Sequence, residues 1–315
     1  MNPTPPDHSD RLQPPHNPPV VGLIPTDPTP SYFLALPKIW MCHDGYMNDE
    51  EEIVLSGGMA TKVTRLGGVV FRSPKPQSAT VLSFLIYLSG EGYPASPRPI
   101  GNGFASDGRE MLEFIEGTSP QPFAWSDQAG FEIGDLLRTL HGLSVEWTPP
   151  PNAIWRPWFA RELTGERSVI GHGDLGPWNI LARDGHPVAF IDWDNAGPVD
   201  PMWELAHVIW QNAQLYDDDV SELNHLPDVT TRAAQAKLIL DGYRLDHAAR
   251  AGFADRIIKL AIWSAREEAR EYNVVADSVS PTPSGYPVLW AVTWRTRSAA
   301  WMLDNKEALQ RALDS

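Results

Sequence analysis

The chain has 315 residues, 42% of them hydrophobic and 21% charged, which leaves room for two lobes or one large domain and excludes wholesale disorder, a collagen-like repeat or a membrane-embedded chain. A formal net charge of −15 opposes binding to nucleic-acid phosphates or an anionic bilayer and favours a cationic ligand without naming one. A single cysteine, Cys42, excludes an intramolecular disulfide and fits a reducing cytoplasm.

Residues 1–37 are crowded with proline, which removes backbone donors and opposes regular structure, so a disordered tail is expected there. The opening lacks the basic-then-apolar order of a signal peptide, and no apolar run approaches the ~20 residues that cross a bilayer. Three short β-prone runs follow, Ile53 to Leu55, Lys62 to Arg65 and Val69 to Arg72, separated by glycine pairs. The segment ATVLSFLIYLSGEG has helical spacing and stops at glycine, and REMLEFIEGT returns to an extended run. The expected order is strand, strand, strand, helix, strand. Beyond Gly117 helical patterns dominate: FEIGDLLRTLHGL, MWELAHVIWQ, one long stretch from about Thr231 to Tyr272, and two more toward Asp314. This predicts an α+β chain in three parts: a proline-rich tail at 1–37, a small β-rich lobe at 38–117, and a larger helical lobe at 118–315.

The segment VIGHGDLGPWNILARDGHPVAFIDWDNAGPVDPMWELAHV carries the chemistry. Phosphoryl transfer needs a carboxylate to orient the attacking hydroxyl and accept its proton, and oxygen ligands to hold Mg²⁺ against the phosphates. Asp174 can supply the first; Asn179 and Asp192 can supply the second. Gly173 and the Gly176-Pro177 pair bar a continuous helix between Asp174 and Asn179, leaving an irregular loop. The run ILARDGHPVAFIDWD reads as two strands around an Asp184-Gly185 turn, which would return Asp192 alongside Asn179.

This segment resembles the catalytic core of the aminoglycoside phosphotransferase and choline kinase superfamily, with an H-G-D-x-x-x-x-N loop at His172 to Asn179 and an I-D-x-D segment at Ile191 to Asp194. The resemblance implies a bilobal protein-kinase-like fold, ATP or GTP as donor with magnesium, and a small-molecule hydroxyl as acceptor, from an aminoglycoside-like antibiotic to an amino alcohol or sugar. It makes Asp174 the catalytic base and Asn179 and Asp192 the metal ligands, with His172, Asp194 and Asp200 in support. Gly57 and Gly58 fall in the family's hairpin over the nucleotide, and Glu113 and Ile115 fall where its hinge presents backbone to adenine. Arg72 stands where many relatives carry a phosphate-pairing lysine, and the next helix, Thr80 to Leu88, has no glutamate to pair with it.

Other residues have plainer roles. His172 braces the loop, His186 is a turn residue, and His207 lacks partner spacing for metal. The tryptophans of the helical half could box an ammonium group, but helical spacing makes them core. The acidic run Asp217 to Asp219 reads as a solvated loop. Two rivals stand: a non-catalytic kinase-like nucleotide-binding protein, motivated by Arg72 and the missing helix glutamate, and a metal-dependent phosphohydrolase using Asp174, Asp192 and Asp194.

Overall fold

Three short strands open the folded part: β1 (Ile53–Leu55), β2 (Val63–Leu66) and β3 (Val69–Arg72). Leu66 pairs with Val69, so Gly67-Gly68 is a two-residue hairpin loop, and Gly67 takes the positive φ of +55° that such a turn needs. A computed structural model describes residues 51–55, 63–163, 165–282, 285 and 287–315. The proline-rich tail, Cys42 and the pair Gly57-Gly58 lie outside the described residues.

After β3 comes helix α1 (Ser78–Gly90), followed by β4 (Pro99–Phe104) and β5 (Glu110–Glu113). The five strands form one antiparallel sheet in the order β1-β2-β3-β5-β4. Strand β4 departs from the expected element order. Its sequence, PIGNGF, reads as a turn because Pro99 and two glycines depress strand propensity. In the fold Gly101 and Gly103 sit at φ +63° and +87° within an irregular register against β5. The sheet supplies the tertiary pairing that local propensity does not.

Beyond β5 the chain is mostly helical. Ser126 caps α2 (Asp127–Val145) by accepting the Ala129 N–H, and Ile133, Leu137 and Leu140 bury its inner face. Short strands β6 (Val169–Gly171), β7 (Ile180–Arg183), β8 (His186–Phe190) and β9 (Gly197–Val199) then form two small ladders, β6 with β9 and β7 with β8. The β7–β8 hairpin is the one expected from the Asp184-Gly185 turn, and both residues take positive φ.

The remaining helices are α3 (Pro201–Asn212), α4 (Asp218–Leu223), α5 (Val229–Tyr243), α6 (His247–Arg250), α7 (Phe253–Glu271), α8 (Val288–Asp304) and α9 (Lys306–Leu313). The stretch expected as one run from Thr231 to Tyr272 is therefore three helices. Arg244 ends α5 in the left-handed region, and Gly252, at φ +71°, precedes α7. Helices α2 and α5 approach closely at Gly134 and Gly242, where a side chain would meet the backbone of the facing helix. One continuous apolar core runs from α1 through the loops of the small ladders to α9. The result is an α+β architecture with a small sheet region and a larger helical part.

Candidate active site

The two small ladders hold the loops between their strands against each other. Strand β6 ends at Gly171 and delivers His172, Gly173 and Asp174; β7 begins just after Asn179; β8 ends just before Asp192. The Ile191 N–H donates to the Asn179 carbonyl at 2.8 Å, extending the hairpin pairing by one residue and placing Asp192 next to Asn179. The Asn179 Nδ2 donates to the Asp174 carbonyl at 2.7 Å and to Asp174 Oδ2 at 2.9 Å. The three residues singled out in the sequence therefore converge. Asn179 is buried, while Asp174 and Asp192 are half-buried and accessible to a ligand. Asp192 sits in the left-handed region at φ +63°, an uncommon conformation for a residue with a side chain and one that concentrates at functional sites.

His172 is buried and braces this arrangement. Its Nε2 lies 3.0 Å from the Ile191 carbonyl, which can only accept, so the proton is on Nε2. Its Nδ1 then accepts the Asp174 N–H at 3.3 Å. This neutral tautomer links the loop to the segment before Asp192, and the ring packs against Trp193 with centroids 4.6 Å apart.

The loop is anchored from below by Glu204 of α3, whose Oε1 accepts the Gly173 N–H at 2.7 Å. Its Oε2 lies 2.7 Å from His141 Nε2, and His141 Nδ1 lies 2.9 Å from the Tyr243 hydroxyl. Burial would raise the Glu204 pKa, but the hydrogen bonds from His141 and Gly173 outweigh it and hold the carboxyl below its ordinary range. Asp200, expected to buttress the loop, is placed instead as the N-cap of α3, accepting the Met202 N–H at 2.8 Å. The loop bond belongs to the carboxylate one helical turn further on. Arg161, which no sequence motif singles out, donates to the carbonyls of Arg156, Asn195 and Pro198 and clamps the segment after Asp192. Its guanidinium is pulled down to about 10 by burial.

On the sheet side, Arg72 ends β3 directly opposite Glu110 of β5, and its Nε donates to the Glu110 carboxylate. Its Nη2 donates to Asp194 Oδ1 at 2.6 Å, and its Nη1 lies 3.7 Å from Asp192 Oδ1. Burial alone would lower the Arg72 pKa; the carboxylates of Asp194, Glu110 and Asp192 overcome this and raise it. Lys75 also pairs with Asp194, and Gln77 Nε2 donates to the Asp194 carbonyl at 3.3 Å. Asp194 is thus tied to the end of β3 and to the loop that leads into α1 through three side chains. It faces these groups rather than the loop at residues 172–179. Glu110 and Lys75 were not anticipated: pairing with Glu110 follows from strand register, which Arg72 and its neighbours do not reveal.

Of the two residues expected at a hinge, Glu113 is the last residue of β5 and its N–H is taken up by the Arg98 carbonyl at 2.8 Å, while Ile115 packs against Leu181, Ala189 and Ile191. Thr118 exchanges two backbone hydrogen bonds with Ala182, joining the crossover to β7. His207 is buried among Trp158, Phe159 and Trp210, and its pKa is lowered to about 4 by burial. Trp210 and Trp294 stack on each other with centroids 5.3 Å apart, as core aromatics.

Residues 153–253, which contain this loop and its anchors, match the phosphotransferase enzyme family. The chain is 48% identical over 267 residues to the trifolitoxin immunity protein of Rhizobium leguminosarum bv. trifolii, covering 85% of this chain and all of that one. The chain belongs to the phosphotransferase enzyme family. It is a small-molecule phosphotransferase of kinase-like fold. The fold is shared with an amicoumacin kinase in complex with AMP-PNP and Ca²⁺ (13% identity, 81% of this chain and 88% of that one, TM-score 0.55). It is also shared with a microcompartment-associated aminopropanol kinase (14% identity, 83% and 94%, TM-score 0.54) and a choline kinase from Cryptosporidium parvum (13% identity, 84% and 91%, TM-score 0.53). No helix among the described residues is long and apolar enough to cross a membrane.

Proposed function

We propose that this phosphotransferase moves the γ-phosphate of ATP to a hydroxyl of a toxin or antibiotic, and so confers immunity on the cell that carries it. The observation behind the chemical part is the convergence of Asp174, Asn179 and Asp192 through the Ile191–Asn179 backbone bond. Asp174 orients the acceptor hydroxyl and takes its proton. The Asn179 amide nitrogen faces Asp174, so its oxygen is the atom that a cation would meet beside the Asp192 carboxylate.

Among the described residues, no three His, Cys, Asp or Glu side chains gather to hold a metal ion. A site of one carboxylate and one amide still suits magnesium, which keeps several waters and takes phosphate oxygens as its other ligands. Bound there, Mg²⁺ neutralises phosphate charge. The same sparse ligand set disfavours the two-metal phosphohydrolase. Arg72 supplies positive charge toward the phosphates, and Glu110 gives it the carboxylate partner that α1 lacks, which supports the catalytic reading over the non-catalytic one. The proposed compartment is the cytoplasm, where ATP and magnesium are at hand.

The biological part rests on the likeness to the trifolitoxin immunity protein along that protein's whole length. Trifolitoxin therefore heads the acceptors to be tried, followed by aminoglycosides, amino alcohols and sugars. The purified chain is incubated with Mg-ATP or Mg-GTP and each acceptor, and products are read by mass. Gain of one phosphate by an acceptor is expected. Tight binding of toxin with no nucleotide consumed would instead make this an immunity protein that works by sequestration.

A further inference from the structure

Arg72 divides its guanidinium among three carboxylates from two segments, Glu110 on β5 and the Asp192–Asp194 stretch after β8. Nε serves Glu110 on the neighbouring strand, Nη2 serves Asp194, and Nη1 points toward Asp192. A guanidinium is planar, so fixing Nε fixes the directions of both terminal nitrogens. The group that fixes Nε is almost wholly buried, and both its oxygens are occupied. Glu110 Oε2 accepts from Arg72 and Oε1 accepts from the Ser78 hydroxyl. Ser78 Oγ in turn accepts the Lys75 N–H at 2.7 Å. Helix α1, SATVLSFLIYLSG, contains no acidic residue, and it meets Glu110 through the hydroxyl of its first residue.

We propose that Glu110 is the positioning residue of Arg72, aiming its guanidinium at Asp192 and the donor phosphates, so that the sheet does what a helix-borne acid would otherwise do. This rests on the phosphotransferase reading of the site. Two consequences follow from the geometry. Lysine at position 72 puts its three donors on one nitrogen and lacks the planar fork that spans Glu110, Asp194 and Asp192, so it does not replace Arg72 here. Helix α1 meets Glu110 through a neutral hydroxyl, so that bond contributes little to nucleotide binding.

The test is calorimetric titration of the full chain with Mg-ATP, and with Mg-GTP alongside, for the parent, Glu110→Gln, Arg72→Ala, the double variant, Arg72→Lys and Ser78→Ala. Glu110→Gln should weaken binding about tenfold or more in the parent and less than about twofold when Arg72 is already alanine, because its effect passes through Arg72. Arg72→Lys should bind about as weakly as Arg72→Ala, and Ser78→Ala within about threefold of the parent. Equal losses from Glu110→Gln in both backgrounds would mark a structural role and overturn the proposal. Should Glu110→Gln fail to fold, Arg72→Lys decides alone: parental affinity there overturns it. A parent that takes up neither nucleotide refutes the phosphotransferase reading itself, whereas a parent that binds normally alongside an unaffected Arg72→Ala refutes only the role given to Arg72 and Glu110.

Discussion

Gly173 of the catalytic loop lies against the carbonyl oxygen of Asn195, and a Cβ at this position would fall well inside van der Waals contact with it. The same carbonyl accepts from Arg161 Nη2 at 2.5 Å, so it cannot retreat without losing that bond. Gly173 also sits at φ +82°, which side chains rarely adopt. Gly173→Ala should therefore cost about 2 kcal/mol or more in stability and abolish phosphate transfer, since Asp174 is the next residue. Thermal denaturation and turnover of the purified variant check both. Parental activity would show that the loop and the segment after Asp192 are not locked together in this way.

His207 gives the fold a pH limit. Its ordinary value of 6.5 falls to about 4 in the folded chain, because burial penalises the charged ring. Between these values the unfolded chain binds a proton that the folded chain does not, so stability falls as pH drops from 6.5 toward 4. The contribution is about 3 kcal/mol over that window. His207→Phe keeps an aromatic ring beside Trp158 and Trp210 and removes the titration. Denaturant unfolding at pH 7, 5.5 and 4.5 should give a flatter profile for the variant, and parallel profiles would contradict the assignment.

In the proposed reaction Asp192 and Asn179 hold the cation. Asp192→Asn keeps the shape and removes the charge of a hard oxygen ligand, so half-saturation by magnesium should shift upward by about tenfold or more while the fold is retained. Magnesium titration of turnover at saturating nucleotide measures this. An unchanged magnesium requirement would remove Asp192 from the metal site.

The central hairpin and its flanking loops were legible in the sequence because their signals are local. Asp184-Gly185 marks the turn, Gly176-Pro177 bars a continuous helix and leaves only the short 3-10 turn Pro177–Asn179, and the five-residue spacing from Asp174 to Asn179 survives folding as a hydrogen bond. The hidden features depend on pairing between distant segments. Glu110 meets Arg72 only because β5 lies beside β3 in one particular register. Strand β4 is held by β5 against its own weak propensity. Glu204 had a readable signal, since it lies four residues after the capping Asp200 on one face of α3. Arg161 had none, because its partners are backbone carbonyls, which leave no trace in residue type.

The most direct measurement is single-turnover phosphate transfer by Asp174→Asn, alongside calorimetric binding of Mg-ATP, using the acceptor found by mass detection. Asparagine preserves the shape beside Asn179 and cannot take the hydroxyl proton. The chemical rate should fall about a hundredfold or more with nucleotide affinity largely unchanged. A variant that transfers phosphate at the parental rate would contradict the assignment of Asp174 as the group that activates the acceptor, and with it the account of this site.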